Sequence, residues 1–252
     1  MTDLEEDVWA EDAAQARPIV KIEAGKLSEV VNEAADAIAR AQVYQRAGDL
    51  VRVVRVAETE ADAARLECTP EIVVLSQPAA LDVLSACAAW EKFDARTKKW
   101  RPSDVPEAVA KSLLARRQWV GVRPLQGVTE APVMRPDGTI LQEPGYDPRL
   151  AVVYLPNAPF QVVPESPTQD DAKAALVELQ EVFADFPWRT PAEAAVPIAA
   201  VLTILARGAI GGPVPGFLID ASMAASGKGR AVDAVSIIAT DITVADLAAA
   251  VS

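Results

Sequence analysis

The chain has 252 residues, 51% of them hydrophobic, which is enough to bury one large core or two smaller ones. It contains no histidine and only two cysteines, Cys68 and Cys87, with no CxxC pair. That excludes Ser-His-Asp and Cys-His nucleophile pairs, His-ligated metals and a zinc site. The net charge of −12 argues against a surface that grips nucleic acid all over.

No apolar stretch reaches the roughly 20 residues of a spanning helix, so no membrane is expected as a partner. The start, MTDLEEDVWAEDAAQAR, has neither a basic nor an apolar signal region, and the expected location is cytoplasmic. Residues 1–17 read as a disordered acidic arm.

Pro18 to Glu23 alternates as a short strand, and a helix follows with Leu27, Val30, Val31, Ala34 and Ile38 on one stripe. Val43 to Arg46 and Leu50 to Val56 read as a hairpin around Ala47-Gly48-Asp49. Glu58 to Glu67 is charged and alanine-rich, a surface excursion, and Glu71 to Leu75 is a further strand. A helix is expected from Pro78 to about Lys92, with Leu81, Leu84 and Ala88 inward. A second is expected behind Asp104 and Glu107, spaced as a capping box, with Val105, Val109 and Leu113 on one face.

After Arg117 the pattern turns to strands. Val128 to Arg135 and Thr139 to Glu143 flank Pro136-Asp137-Gly138, where Pro fixes φ and Gly accepts the left-handed position. Gly145-Tyr146-Asp147 reads as a turn, and Leu150 to Leu155 as a strand. Pro156 to Pro167 carries four prolines and is the expected linker between a mixed domain, 18–160, and a second domain, 168–252. In the second, Thr168 and Asp171 announce a helix with Ala172, Leu176, Leu179 and Phe183 inward. Thr190, Pro191 and Glu193 announce another, in which Pro197 predicts a kink or a late start.

Phe217 to Asp220 is a short apolar run, expected as a strand. Ala221-Ser222-Met223-Ala224-Ala225-Ser226-Gly227-Lys228-Gly229 follows, then a helix-compatible stretch from Arg230 to Ala239. Strand, small-residue loop, Lys and helix is the order of a P-loop. Small residues let backbone N–H groups turn toward phosphate oxygens, the helix presents its positive end, and the ammonium reaches the outer phosphates. The candidate nucleotide contacts are Ser222, Ala225, Ser226, Gly227, Lys228 and Gly229, with ATP and Mg²⁺ as the expected cofactors. The match is degenerate: Ser222 stands where the pattern has Gly, and Gly229 where it has the hydroxyl that ligates Mg²⁺. Downstream, only Asp241 and Asp246 could serve as the second acidic element, and neither ends a convincing strand. The expected chain is thus an incomplete ATPase, α/β or α+β in class, with hydrolysis by this chain alone not expected. No catalytic residue is named.

Two segments carry a family likeness. GVTEAPVMRPDGTILQEPGYDPRLAVVYLP, Gly127 to Pro156, and AAVLTILARGAIGGPVPGFLIDASMAASGKGRAVDAVSIIAT, Ala199 to Thr240, resemble phage and prophage primase/helicase-type ATPases. The resemblance implies a DNA-replication ATPase core with Ser226, Gly227 and Lys228 on phosphate, and a homo-oligomer where the full ATPase domain is present.

A second reading comes from charge. Lys92 to Arg123 holds nine basic residues against three acidic ones, interleaved with Trp90, Phe93, Trp100 and Trp119. Cations neutralise phosphates and aromatic faces stack on bases, so Lys92, Arg96, Lys98, Lys99, Arg101, Arg116 and Arg117 are candidates for contact with single-stranded DNA or another replication partner.

Overall fold

The computed structural model describes residues 17–55, 70–220 and 227–240. The acidic arm up to residue 16, the excursion Glu58 to Glu67, Cys68, the loop residues Ser222, Ala225 and Ser226, and Asp241 and Asp246 lie outside the described residues. The fold is mixed α/β, with six helices among the described residues and several small sheets. The chain divides into two compact units. One runs through Val128 and includes Ala151–Val153; the other holds Thr129–Leu150 and everything from Tyr154 on. The proline-rich stretch 156–167 therefore falls inside the second unit.

In the first unit, β1 (Ile19–Ile22) leads into α1 (Leu27–Ile38), whose stripe buries Val30, Val31, Ala34, Ala35, Ala37 and Ile38. β2 (Tyr44–Arg46) and β3 (Asp49–Arg55) form the expected hairpin, with Gly48 at φ +85° in its turn. With β4 (Pro70–Val74) and β7 (Arg123–Pro124) they make a four-stranded sheet in the order β4-β3-β2-β7. α2 (Gln77–Cys87) starts behind Ser76, whose hydroxyl accepts the Ala79 N–H, with Pro78 in the first turn.

Here the structure departs from the sequence reading. α2 stops at Cys87, five residues short of Lys92, and Ala88 is already extended. The chain becomes β5 (Ala89–Asp94), parallel to β1, and returns antiparallel as β6 (Lys99–Pro102). The alternation Trp90 inward, Phe93 outward is a strand signal that the run of alanines before it conceals. α3 (Glu107–Leu114) also starts later than its capping box predicts, because Pro106 occupies the cap position and no side chain caps the helix.

One core joins these layers: Val20 and Trp90 from the sheet, Val31, Ile38, Leu84, Val109 and Leu113 from the three helices, with Val43, Leu50 and Trp119. Two indoles are fastened in the same way. Trp90 Nε1 donates to the Leu84 carbonyl and Trp119 Nε1 to the Leu113 carbonyl, each at 2.9 Å. Each acceptor lies in the last turn of its helix and also takes a backbone N–H, that of Ala88 at Leu84 and that of Arg116 at Leu113.

The stretch expected as one strand from Val128 to Arg135 is two, β8 (Gly127–Thr129) and β9 (Val133–Met134), parted around Pro132, which lacks a ladder donor. β9 pairs with β10 (Ile140–Leu141) across the Pro136-Asp137-Gly138 turn, where Gly138 takes φ +85°. Gly145–Asp147 is a short strand, β11, and Val152–Tyr154 is β12. Three helices complete the second unit: α4 (Gln169–Val182), α5 (Pro191–Leu205) and α6 (Lys228–Thr240). Thr168 and Asp171 cap α4 reciprocally, and Thr190 accepts the Glu193 N–H at the start of α5. α5 begins at Pro191 and runs through Pro197, so the late start does not occur. Gly208 is required by close approach: a Cβ there would stand 2.9 Å from both the Met134 carbonyl oxygen and the Leu150 side chain.

Candidate functional site

The expected strand before the loop is not formed. Phe217 to Asp220 has no regular structure, and Leu218 is 89% exposed where a P-loop strand would be buried. The helix after the loop is present and starts two residues earlier than read. Gly227 takes φ +86°, and α6 opens immediately at Lys228, its first helical bond running from the Ala231 N–H to the Gly227 carbonyl at 3.0 Å. Glycine alone adopts that backbone without a steric penalty, so the turn into the helix explains why a glycine precedes the lysine.

The chemistry of this helix end is cationic. Lys228 and Arg230 stand in its first turn, both exposed, and no acidic residue shares that turn. Helix N-termini ordinarily attract Asp or Glu, whose charge balances the unsatisfied N–H groups. Here two cations add to that positive end, and no carboxylate in the helix's own first turn balances them. The base of the helix is fixed by packing. Val235 joins Phe183, Ile198, Ala200 and Val201 in the core of the second unit, flanked by Phe186 and Trp188. Phe186 ring carbon Cε1 lies 3.9 Å from where a Gly227 Cβ would be, which places an aromatic ring beside the loop's last residue. Trp188 Nε1 donates to the Phe183 carbonyl and holds this aromatic corner closed. Gly229, exposed, offers no hydroxyl. Among the described residues, no three His, Cys, Asp or Glu side chains cluster as a metal site.

The PDG…PGYD segment is a carboxylate lock. Asp147 is 5% exposed and accepts from the Arg149 and Leu150 N–H groups and from Arg135 Nε at 2.6 Å. Burial pushes its carboxyl up, but the Leu150 N–H, Arg135 and the Arg149 N–H outweigh that and hold it below the ordinary carboxylate value. Asp137 accepts the Thr139 hydroxyl and N–H and pairs with Arg149. Asp137 and Asp147 are thus each paired with an arginine of the same segment, Arg149 and Arg135. The spacing of Gly145-Tyr146-Asp147 predicts a turn where the chain forms β11, and nothing local announces that Asp147 is buried.

The basic and aromatic stretch is not one surface. Trp90 and Trp119 are core residues. Arg116 donates to Asn32 Oδ1 at 2.7 Å and Arg117 to Asp49 at 2.6 Å, both tied to the first unit's own surface. Lys92, Arg96, Lys98, Lys99 and Arg101 stay together on the β5–β6 hairpin, all exposed.

Compared with family models, with curated proteins and with solved structures, the chain matches none of them. Among the described residues, no helix is long and apolar enough to cross a membrane.

Proposed function

We propose that the chain binds a nucleotide through its phosphates at the start of α6, as part of a DNA-replication ATPase of the phage primase/helicase type. One observation carries the reading: a left-handed Gly227 delivers the chain straight into a helix whose first turn holds Lys228 and Arg230 and no carboxylate. An anion there gains the helix N–H groups and an ammonium together, the two elements that phosphate sites combine. Lys228 is assigned to the outer phosphates, and the loop Ser222 to Gly227 to the backbone donors.

The residues fit the phosphate better than the metal. Gly229 supplies no hydroxyl to Mg²⁺, so affinity for the triphosphate is expected to depend little on magnesium. Titration of a fluorescent ATP analogue into the wild type and Lys228→Ala, with and without Mg²⁺, tests this. The expected outcome is at least about tenfold weaker binding by the variant, the loss of one charge-assisted contact of about 1.5–3 kcal/mol. Equal affinities for the two proteins refute the proposal.

A further inference from the structure

The three-stranded sheet β1-β5-β6 has two unlike faces. Helices cover the one that carries Val20 and Trp90. By register, the other face carries Ile19 and Lys21 from β1, Phe93 from β5 and Trp100 from β6. It is open: Ile19 is 57% exposed and Phe93 44%. Phe93 and Trp100 are direct cross-strand partners, packed edge to face with centroids 5.4 Å apart, and the Lys21 ammonium sits 5.1 Å from the centre of the Trp100 ring.

Apolar rings on a solvent-facing sheet cost free energy unless something covers them. The charge around them says what. Lys21 lies on this face and Arg96 and Lys98 in the β5–β6 turn, in a chain whose net charge is −12, while by register Lys92, Lys99 and Arg101 fall on the face of Trp90; the carboxylates are Glu91, beside Lys21 on the open face, and Asp94. One of those carboxylates, Asp94, is consumed by the hairpin turn. It accepts the N–H groups of Arg96 and Thr97 and the Thr97 hydroxyl, and Arg101 Nε lies 3.2 Å from it. Lys98 is held in the left-handed region at φ +52° within that turn. The tip is therefore a fixed loop that carries Arg96 and Lys98 in the turn beyond the Asp94–Lys99 pair, next along the ladder from Phe93 and Trp100.

We infer that this open sheet face binds single-stranded nucleic acid, with bases stacked on Trp100 and Phe93 and phosphates held by Lys21, Arg96 and Lys98. The inference stands apart from the nucleotide site, which lies in the other unit. An acidic peptide would satisfy the cations but not the rings, and a duplex hides the base faces that the rings need. A base arriving on Trp100 displaces the Lys21 ammonium from the ring by side-chain rotation alone, toward the phosphate of the same nucleotide. Sequence tolerance follows, because every base has a π-face.

The test is fluorescence anisotropy of labelled oligo-dT and oligo-U with the intact chain across a salt series. Wild type is expected to bind either or both with affinity that falls as salt rises, and a duplex of the same length more weakly. Trp100→Ala and Phe93→Ala should each weaken binding about fivefold or more, while Trp100→Phe retains most of it. Lys98→Glu should weaken binding and flatten the salt dependence. Lys228→Ala should change nothing in this assay, which separates the two sites. Should Trp100→Ala unfold, as judged by thermal melting, Phe93→Ser and Lys21→Glu take its place. Absence of binding at low salt, loss-free binding by the ring variants, or equal competition by poly-glutamate overturns the inference.

Discussion

The two units spend their apolar residues differently. In the first, three helices and two sheets close on one core, and large side chains such as Leu84 and Leu113 are fully buried. In the second, the three long helices share a small cluster around Phe183 and Val201, while α4 buries none of its own residues and Leu176, Val177 and Leu202 remain exposed. The second unit also carries directed polar contacts at two helix caps and in the Arg135–Asp147 lock. The difference teaches which part of the chain resists mutation through packing and which through geometry.

The sharpest test of that contrast is one truncation made twice. Leu113→Ala is expected to destabilise the first unit by about 2–5 kcal/mol, since it removes a fully buried side chain and leaves a cavity. Leu202→Ala, on the exposed side of α5, is expected to stay within about 0.5 kcal/mol. Urea unfolding of both variants checks this, and similar losses would break the contrast.

Next in size is the lock. Asp147→Ala leaves the Arg135 guanidinium and two backbone N–H groups without their acceptor and is expected to cost about 3 kcal/mol. Its pH dependence has a definite sign. The folded carboxyl is held below its unfolded value of about 4, so its contribution is complete above that value and is lost as pH falls through the folded pKa. Melting curves of the wild type should therefore lose stability below about pH 4, and Asp147→Asn should lose less over the same range.

The smallest expected effect is at the caps. Thr190→Ala should cost about 1 kcal/mol and speed amide exchange in the first turn of α5, leaving exchange in α1 unchanged. Slowed or unaltered exchange there would show that packing, not capping, holds the helix.

Much of the second unit's framework was legible because its signals are local. Thr168 with Asp171, and Thr190 with Pro191 and Glu193, complete their contacts within a turn of helix, so spacing alone announces them. The Pro136-Asp137-Gly138 turn belongs to the same kind. The inward faces were less legible: Phe183 and Leu179 pack as read, but Leu176 stays exposed, since the stripe of a helix says nothing about how wide its partner is. At the candidate nucleotide site the helix and its glycine were visible, whereas the strand read at Phe217 to Asp220 was not formed; a short apolar run becomes a strand only if a sheet accepts it.

By itself the amino-acid order determined that histidine chemistry is excluded, the helix starts at Thr168 and Thr190, the stripe of α1 from Val30 to Ile38 though not its Leu27, and the small-residue run ending in Gly227 and Lys228. Tertiary structure alone decided that the helix after Pro78 gives way to a strand at Ala89, that Asp147 is buried against Arg135, and that of four neighbouring aromatics Trp90 and Trp119 go inside while Phe93 and Trp100 face out. The reason is range. A cap or a turn is satisfied by residues a few places away, but the side on which a ring falls is set by the register of β5 against β1 and β6, and by which face the helices cover.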